Sequence, residues 1–291
     1  MSAAHGDYYL PNPSPWPLLI TAGLFILALG FVLMINGVGA GSWLMLIGAG
    51  VVIYIMARWF GQVIGESEGG LYNEQVDISF RMGMAWFIFS EVMFFAAFFG
   101  ALLYVRQFAG PWLGDTELLW PGYDFSWPTA GPKGPTAITP DTMPGANQFS
   151  PMGAWGIPAI NTLILLISGA TVTWAHWGLL KNNRGQLIVG LIATVALGVV
   201  FLSLQAYEYA HAYSQLGLTL KTGSYGATFY MLTGFHGFHV TIGTVMLMTI
   251  LGRSIKGHFQ PDHHFAFEAV AWYWHFVDVV WLLLFIFVYW L

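Results

Sequence analysis

Four groups of side chains in this 291-residue sequence have the types and the spacing for chemistry. Glu91 stands in the apolar run Phe87–Phe95, FIFSEVMFF, and its neighbours one and two helical turns away, Phe87, Phe94, Phe95 and Phe98, offer it no partner. Desolvation then favours the protonated acid, which makes Glu91 either a proton-transferring group or a neutral acid hydrogen-bonded to another helix. Glu268, Trp272, His275 and Asp278 recur at intervals of four, three and three and so share one broad helix face. That stripe reads as a proton relay or partner-binding line, or as a buried polar seam paired with other helices. His236 and His239 share a face as well, suited to metal ligation or to hydrogen-bonded packing. Arg253, Lys256, His258, His263 and His264 form a compact cationic turn of the kind that holds lipid head groups, although ordinary loop charge accounts for the arginine and lysine.

These groups sit in an apolar chain. Hydrophobic residues make up 57% and charged residues 8%, and the mean hydropathy is +0.65. One water-soluble core cannot hide so much apolar surface, so the bilayer is the expected solvent. No basic cluster exists that could track phosphates, which sets nucleic acid aside as a partner. With no cysteine, thiolate metal sites, disulfides and cysteine nucleophiles are excluded. Met1–Tyr9 lacks a basic leader region, so the first apolar run is expected to be a transmembrane helix and not a signal peptide.

Runs long enough to cross about 30 Å of hydrocarbon, which takes roughly 20 helical residues, occur near 15–36, 41–61, 82–105, 158–180, 186–210, 225–251 and 266–290. Helices are required because backbone groups in lipid must be satisfied within each segment. The predicted fold class is therefore all-α, an integral membrane protein with seven transmembrane helices. Arg58, Arg81, Lys181, Arg184, Arg253 and Lys256 fall on one side of these runs, and Arg106, Lys133 and Lys221 on the other. The bias places the N-terminus in the cytoplasm and the C-terminus outside. The expected organisation is an N-terminal two-helix arm over 1–64, an inner loop over 65–80, and a five-helix bundle over 81–291 with an outer loop at about 107–157. That loop is rich in Pro, Gly and Trp, which predicts an ordered cap. His176 and Glu208, flanked by aromatic residues near helix ends, read as interfacial anchors.

Glu91 lies ten residues beyond Arg81, about 15 Å deep at 1.5 Å per residue. Ionisable groups at that depth are functional candidates by default. An ion-coupled transporter using Glu91, Glu268 and Asp278 would call for broken helices and an internal repeat, and neither is evident. A histidine-ligated metalloenzyme would have to join His236 and His239 to His263 and His264. Fourteen helical residues, about 21 Å, separate His239 from Arg253, which keeps the two pairs apart.

Phe265–Trp281, FAFEAVAWYWHFVDVVW, and Thr233–Val240, TGFHGFHV, closely resemble the signature of the cytochrome c oxidase subunit III family. Further matches are FIFSEVMFF, Asn161–His176 (NTLILLISGATVTWAH), Leu204–Tyr209 (LQAYEY) and Pro13–Pro17 (PSPWP), in the family's order over nearly the whole chain. The resemblance, to the seven-helix bacterial type, implies helices 1–2 splayed from a bundle of helices 3–7, with structural phospholipids in the cleft between. It implies a non-redox core subunit of an aa3-type oxidase. No cofactor is expected in this chain, haem and copper being carried by partner subunits. Subunit I is the expected main contact and subunit II a second one, cytochrome c is the donor to the complex, and the setting is a bacterial cytoplasmic membrane. The implied role is to support proton uptake and to protect the oxygen-reducing, proton-pumping complex during turnover, with the lipid cleft as an oxygen route. Glu91 matches the family's carbodiimide-reactive carboxyl, and Glu66, Arg253, Lys256, His258 and His263 match positions that hold lipid head groups. Two departures stand out. Ser67–Phe80 lacks the histidines many members carry in the inner loop, and the outer loop around 110–150 is enlarged and expected to pack on a neighbouring subunit.

Overall fold

The computed structural model describes residues 13–137 and 148–291. The reading of Met1–Tyr9 and the middle of the outer loop lie outside these. Seven helices are long and apolar enough to cross a membrane, and the one strand pairing among the described residues joins Thr136–Ala137 to Gln148–Phe149 over two residues. By contact the chain divides into two compact units, Met1–Met82 and Gly83–Leu291.

The first unit is built on a helical hairpin of α1 (Trp16–Ile35) and α2 (Ala40–Glu68). Hydrophobicity does not hold two helices together in lipid, and close van der Waals packing must do so instead. Glycines supply it here, for a Cβ at Gly30 or Gly48 would overlap the opposing helix backbone at Met45 or Leu27. At the end of the hairpin Trp16 donates to Gln62 (2.6 Å), Gln62 donates to Glu66 (2.7 Å), and the Tyr72 hydroxyl donates to the second Glu66 oxygen (2.8 Å).

The expected inner loop over 65–80 is shorter than predicted. α2 continues to Glu68 and α3 (Glu74–Tyr104) starts early. Asn73 caps the new helix by accepting from the Val76 N–H (3.0 Å), and Asp77 pairs with Arg81 one turn on (2.6 Å). A polar stretch with a capping asparagine and an i,i+4 ion pair extends a helix beyond the hydrocarbon. Hydropathy alone marks only the part inside it.

In the second unit α3 runs on through a π-helical turn at Val105–Ala109 into α4 (Gly110–Gly114). The other helices are α5 (Ile157–Leu180), α6 (Arg184–Gln215), α7 (Gly223–Lys256) and α8 (Phe265–Leu284), the last prolonged by a π-helical end, Phe285–Trp290. α8 is the core element. Trp274 and Trp281 are wholly buried, and their indole N–H groups donate to Ser168 and Thr162 of α5, each at 2.9 Å. Gly198 of α6 and Gly243 of α7 leave room for the Trp274 ring. Arg106 closes the far end of α8 by donating to the carbonyls of Phe287 (3.3 Å) and Leu291 (2.6 Å).

The described parts of the outer loop pack on their own chain. Trp127 and Phe149 lie against the Tyr225 ring, at 5.6 Å each. Ser224 Oγ and the Tyr225 N–H both donate to the Thr129 carbonyl, at 2.8 and 3.0 Å. These parts of the loop cover the start of α7.

Candidate functional site

Glu91 does have a partner, and it comes from α7. Its Oε2 lies 2.8 Å from His239 Nε2, with 22% of the glutamate and 11% of the histidine side chain exposed. Nδ1 of the same ring lies 2.6 Å from the Phe235 carbonyl, one turn back along α7. A carbonyl only accepts, so Nδ1 carries a hydrogen and donates. That assignment leaves Nε2 and Oε2 with a single proton between them: either the acid donates to a neutral imidazole or an imidazolium donates to a carboxylate. Both microstates keep the same heavy atoms and the same net charge. A group of this kind can pass a proton without an isolated charge appearing in hydrocarbon, the costly event at this depth.

Aromatic rings wall the pair. Phe95 and Phe94 of α3 lie 5.0 and 5.8 Å from the His239 ring, Phe276 of α8 lies at 6.4 Å, and Tyr273 stacks on it at 6.5 Å while donating to the His239 carbonyl at 3.3 Å. Phe95, which sequence reading names only as an unhelpful neighbour, is buried and fixes the ring.

Glu268, His275 and Asp278 of α8 all lie toward α5. Glu268 Oε1 pairs with His264 Nε2 (2.9 Å), which in turn lies 3.4 Å from His176 Nε2. His176 thus belongs to a partly buried cluster at the end of α5 and the start of α8. The ligand atoms of these three residues lie within 4.8 Å of one another, a set able to hold a metal ion. His275 and Asp278 turn to α5: His275 Nε2 lies 3.2 Å from Thr173 Oγ1, and Asp278 abuts Gly169. His236 is wholly buried between Phe201 of α6 (5.8 Å) and Trp281 (5.2 Å), so the two α7 histidines face different helices and do not share a ligand. Spacings of three and four put these α8 residues on one face, and that face meets α5 at successive heights, at His176, Thr173 and Gly169.

The cationic turn is part of a helix end. α7 stops at Gly257, whose φ of +80° favours glycine, and the His258 N–H returns to the Arg253 carbonyl at 3.1 Å. Arg253 is buried with its guanidinium 4.6 Å over Phe259, whereas Lys256 is exposed and His263 is exposed beside Asp262 (3.3 Å). Arg184, not singled out from the sequence, donates to the Ile255 carbonyl and so caps the same end. Glu208 is not an interfacial anchor. It is buried, accepts from the Tyr289 hydroxyl at 2.7 Å and from Gln205 at 3.4 Å, and its signal in sequence was the surrounding tyrosines, which read equally well as a membrane-interface belt.

Comparison with known proteins bears on the whole chain. The family model described as cytochrome c oxidase subunit III matches residues 6–121 and 135–291. A protein of Marchantia polymorpha named cytochrome c oxidase subunit 3 is 43% identical over 284 residues, which cover 97% of this chain and 96% of that one. Proteins of the same name from Prototheca wickerhamii and Branchiostoma lanceolatum are 41% and 39% identical, again over 97% of this chain and 96% of each relative.

Proposed function

The chain belongs to the cytochrome c oxidase subunit III family, and from that premise we propose that it is the non-redox core subunit III of an aa3-type oxidase, supporting proton uptake and the catalytic lifetime of the complex. Family membership makes it one subunit of a multi-subunit oxidase and a multi-pass membrane protein of aerobic respiration. The single observation that carries the proton-handling part is the Glu91–His239 pair, a carboxyl oxygen and an imidazole nitrogen 2.8 Å apart with 22% of the glutamate side chain exposed.

In this reading haem and copper belong to partner subunits, subunit I is the main contact and subunit II a second, and cytochrome c donates electrons to the complex. Lys256, His258 and His263, with Arg253 and Glu66, hold phospholipid head groups. Lys256 is exposed at a helix end whose own carbonyls are already capped, which leaves its ammonium for phosphate. The proposed setting is the bacterial cytoplasmic membrane, and the six-to-three division of basic residues between the two sides supports an N-terminus inside.

The test is purification through this chain in mild detergent, recording the optical spectrum and the haem and copper content before and after the chain is stripped away. Haem and copper copurify and stay with the other subunits if the reading holds. Metal that follows the isolated chain, or a chain that brings down no haem, overturns it. Within the intact complex Glu91→Gln is expected to slow turnover at high pH, where proton supply limits, more than at low pH.

A further inference from the structure

His176, His264 and Glu268 converge where the end of α5 meets the start of α8. The turn before α8 sets the first of the ligand geometries. The Gln260 carbonyl accepts from the His263 N–H at 3.1 Å and lies 3.1 Å from His264 Nδ1. A carbonyl only accepts, so Nδ1 carries a hydrogen and donates to it, and in the neutral ring Nε2 is the atom that offers a lone pair. That lone pair faces Glu268 Oε1 at 2.9 Å and His176 Nε2 at 3.4 Å. All three ligand atoms lie within 4.8 Å of one another. One hydrogen on His264 Nε2 satisfies one of these contacts, whereas a cation that takes a lone pair from each residue satisfies the whole set.

The dimensions suit one kind of ion. With Zn–N bonds of about 2.0–2.1 Å, ligand atoms at neighbouring corners of a tetrahedron stand about 3.3–3.4 Å apart. The two imidazole nitrogens stand 3.4 Å apart. The Glu268 contact is shorter than that edge, and a rotation of the glutamate side chain lengthens it. Two imidazoles and one carboxylate favour zinc over magnesium or calcium, which take oxygen ligands. Three protein ligands leave the fourth position to water. The surroundings are also those of a metal site: a ligating imidazole normally donates its other N–H to a fixed acceptor, as His264 does to Gln260, and the Phe267 ring lies 5.2 Å from the His176 ring and covers it. Glu268 keeps 15% of its side chain exposed, and Lys181 caps the end of α5, so the site stands at the membrane edge within reach of a hydrated ion.

We propose that His176, His264 and Glu268 bind a divalent cation of the zinc class, with water in the fourth position. The ion clamps the end of α5 to the start of α8 and to the turn that holds His264. It is redox-inert and is neither the haem iron nor the copper of the partner subunits, so the proposal goes beyond the reading of the chain as an oxidase subunit and stands or falls apart from it.

The test equilibrates the intact complex with Zn²⁺ alone, removes loose metal by gel filtration, and counts zinc per complex by plasma mass spectrometry in the parent and in the His264→Gln and Glu268→Gln complexes. The parent is expected to retain one more zinc than either variant. X-ray absorption of that extra ion is expected to show nitrogen and oxygen neighbours at about 2.0 Å. A second readout needs no variant. In the parent complex Zn²⁺ is expected to slow the modification of His176 by diethyl pyrocarbonate severalfold, as followed by peptide mass spectrometry, while exposed His263 reacts as before. Zinc retention that is equal in parent and variants, or modification of His176 that Zn²⁺ leaves unchanged, overturns the proposal. Haem present in a complex that gives either of those outcomes means that the metal site is wrong and the subunit reading stands.

Discussion

Glu91–His239 and Asp278–His275 pair the same two functional groups in the same five-helix unit, and they differ in whether the chain completes them. The first pair is closed: 2.8 Å between heteroatoms, the imidazole fixed by a backbone carbonyl, phenylalanines on the ring. The second is open: 3.9 Å between acceptors, one carboxyl oxygen without a partner, and a groove in front. In water the contrast would mean little. In hydrocarbon an unsatisfied polar atom costs free energy, so the closed pair stabilises this subunit and the open one does not.

The most forceful way to break the comparison is to open the closed pair. Phe95→Ala removes a buried ring packed on His239 and is expected to cost about 3–5 kcal/mol, the usual range for such a cavity. A thermal-unfolding series in detergent measures it, and an unchanged midpoint would show that the wall is not what holds the imidazole. Next in size is a pair of leucine substitutions made in the isolated chain. Glu91→Leu strands His239 Nε2 and should cost about 1–3 kcal/mol, while Asp278→Leu removes an oxygen that had no internal partner and should cost close to nothing. Equal losses would mean that the second pair is completed inside this chain after all.

Smaller effects sharpen the contrast. Carbodiimide reacts with a carboxylic acid, and in the closed pair the proton is divided between Oε2 and Nε2. His239→Leu leaves Glu91 as a plain acid in apolar surroundings, so its labelling should quicken severalfold, as followed by peptide mass spectrometry; slower labelling would show that the imidazole delivers the proton. The least perturbing measurement is nitrogen NMR of labelled histidine. It should report Nδ1–H for His239 and Nε2–H for His275, opposite tautomers set by the Phe235 carbonyl and the Thr173 hydroxyl.

Much of this was legible from residue order alone. Continuous apolar runs marked the seven spans, because in lipid a backbone has few alternatives to a helix. Glu91 stood out because a lone carboxyl among phenylalanines needs a reason. The polar ends of α2 and α3 were missed because the 65–80 stretch is hydrophilic, and helix there is decided by the Asn73 cap and the Asp77–Arg81 pair. Glu208 was misplaced because aromatic residues beside a polar one look alike at a membrane interface and in a buried site.

Sequence by itself determined the membrane class, the number of crossings, the family, and which ionisable residues had to be explained, since each of these follows from composition, periodicity or motif along one dimension. Only the tertiary structure decided who meets whom: that Glu91 finds His239 across 148 positions, that Glu268 joins His264 and His176, and that Asp278 lies against Gly169 of α5. Helical spacing places a residue on a face of its own helix, but the partner on that face is set by how the helices pack, and in a low-dielectric medium the partner decides whether a polar group is a stabilising contact or a proton carrier.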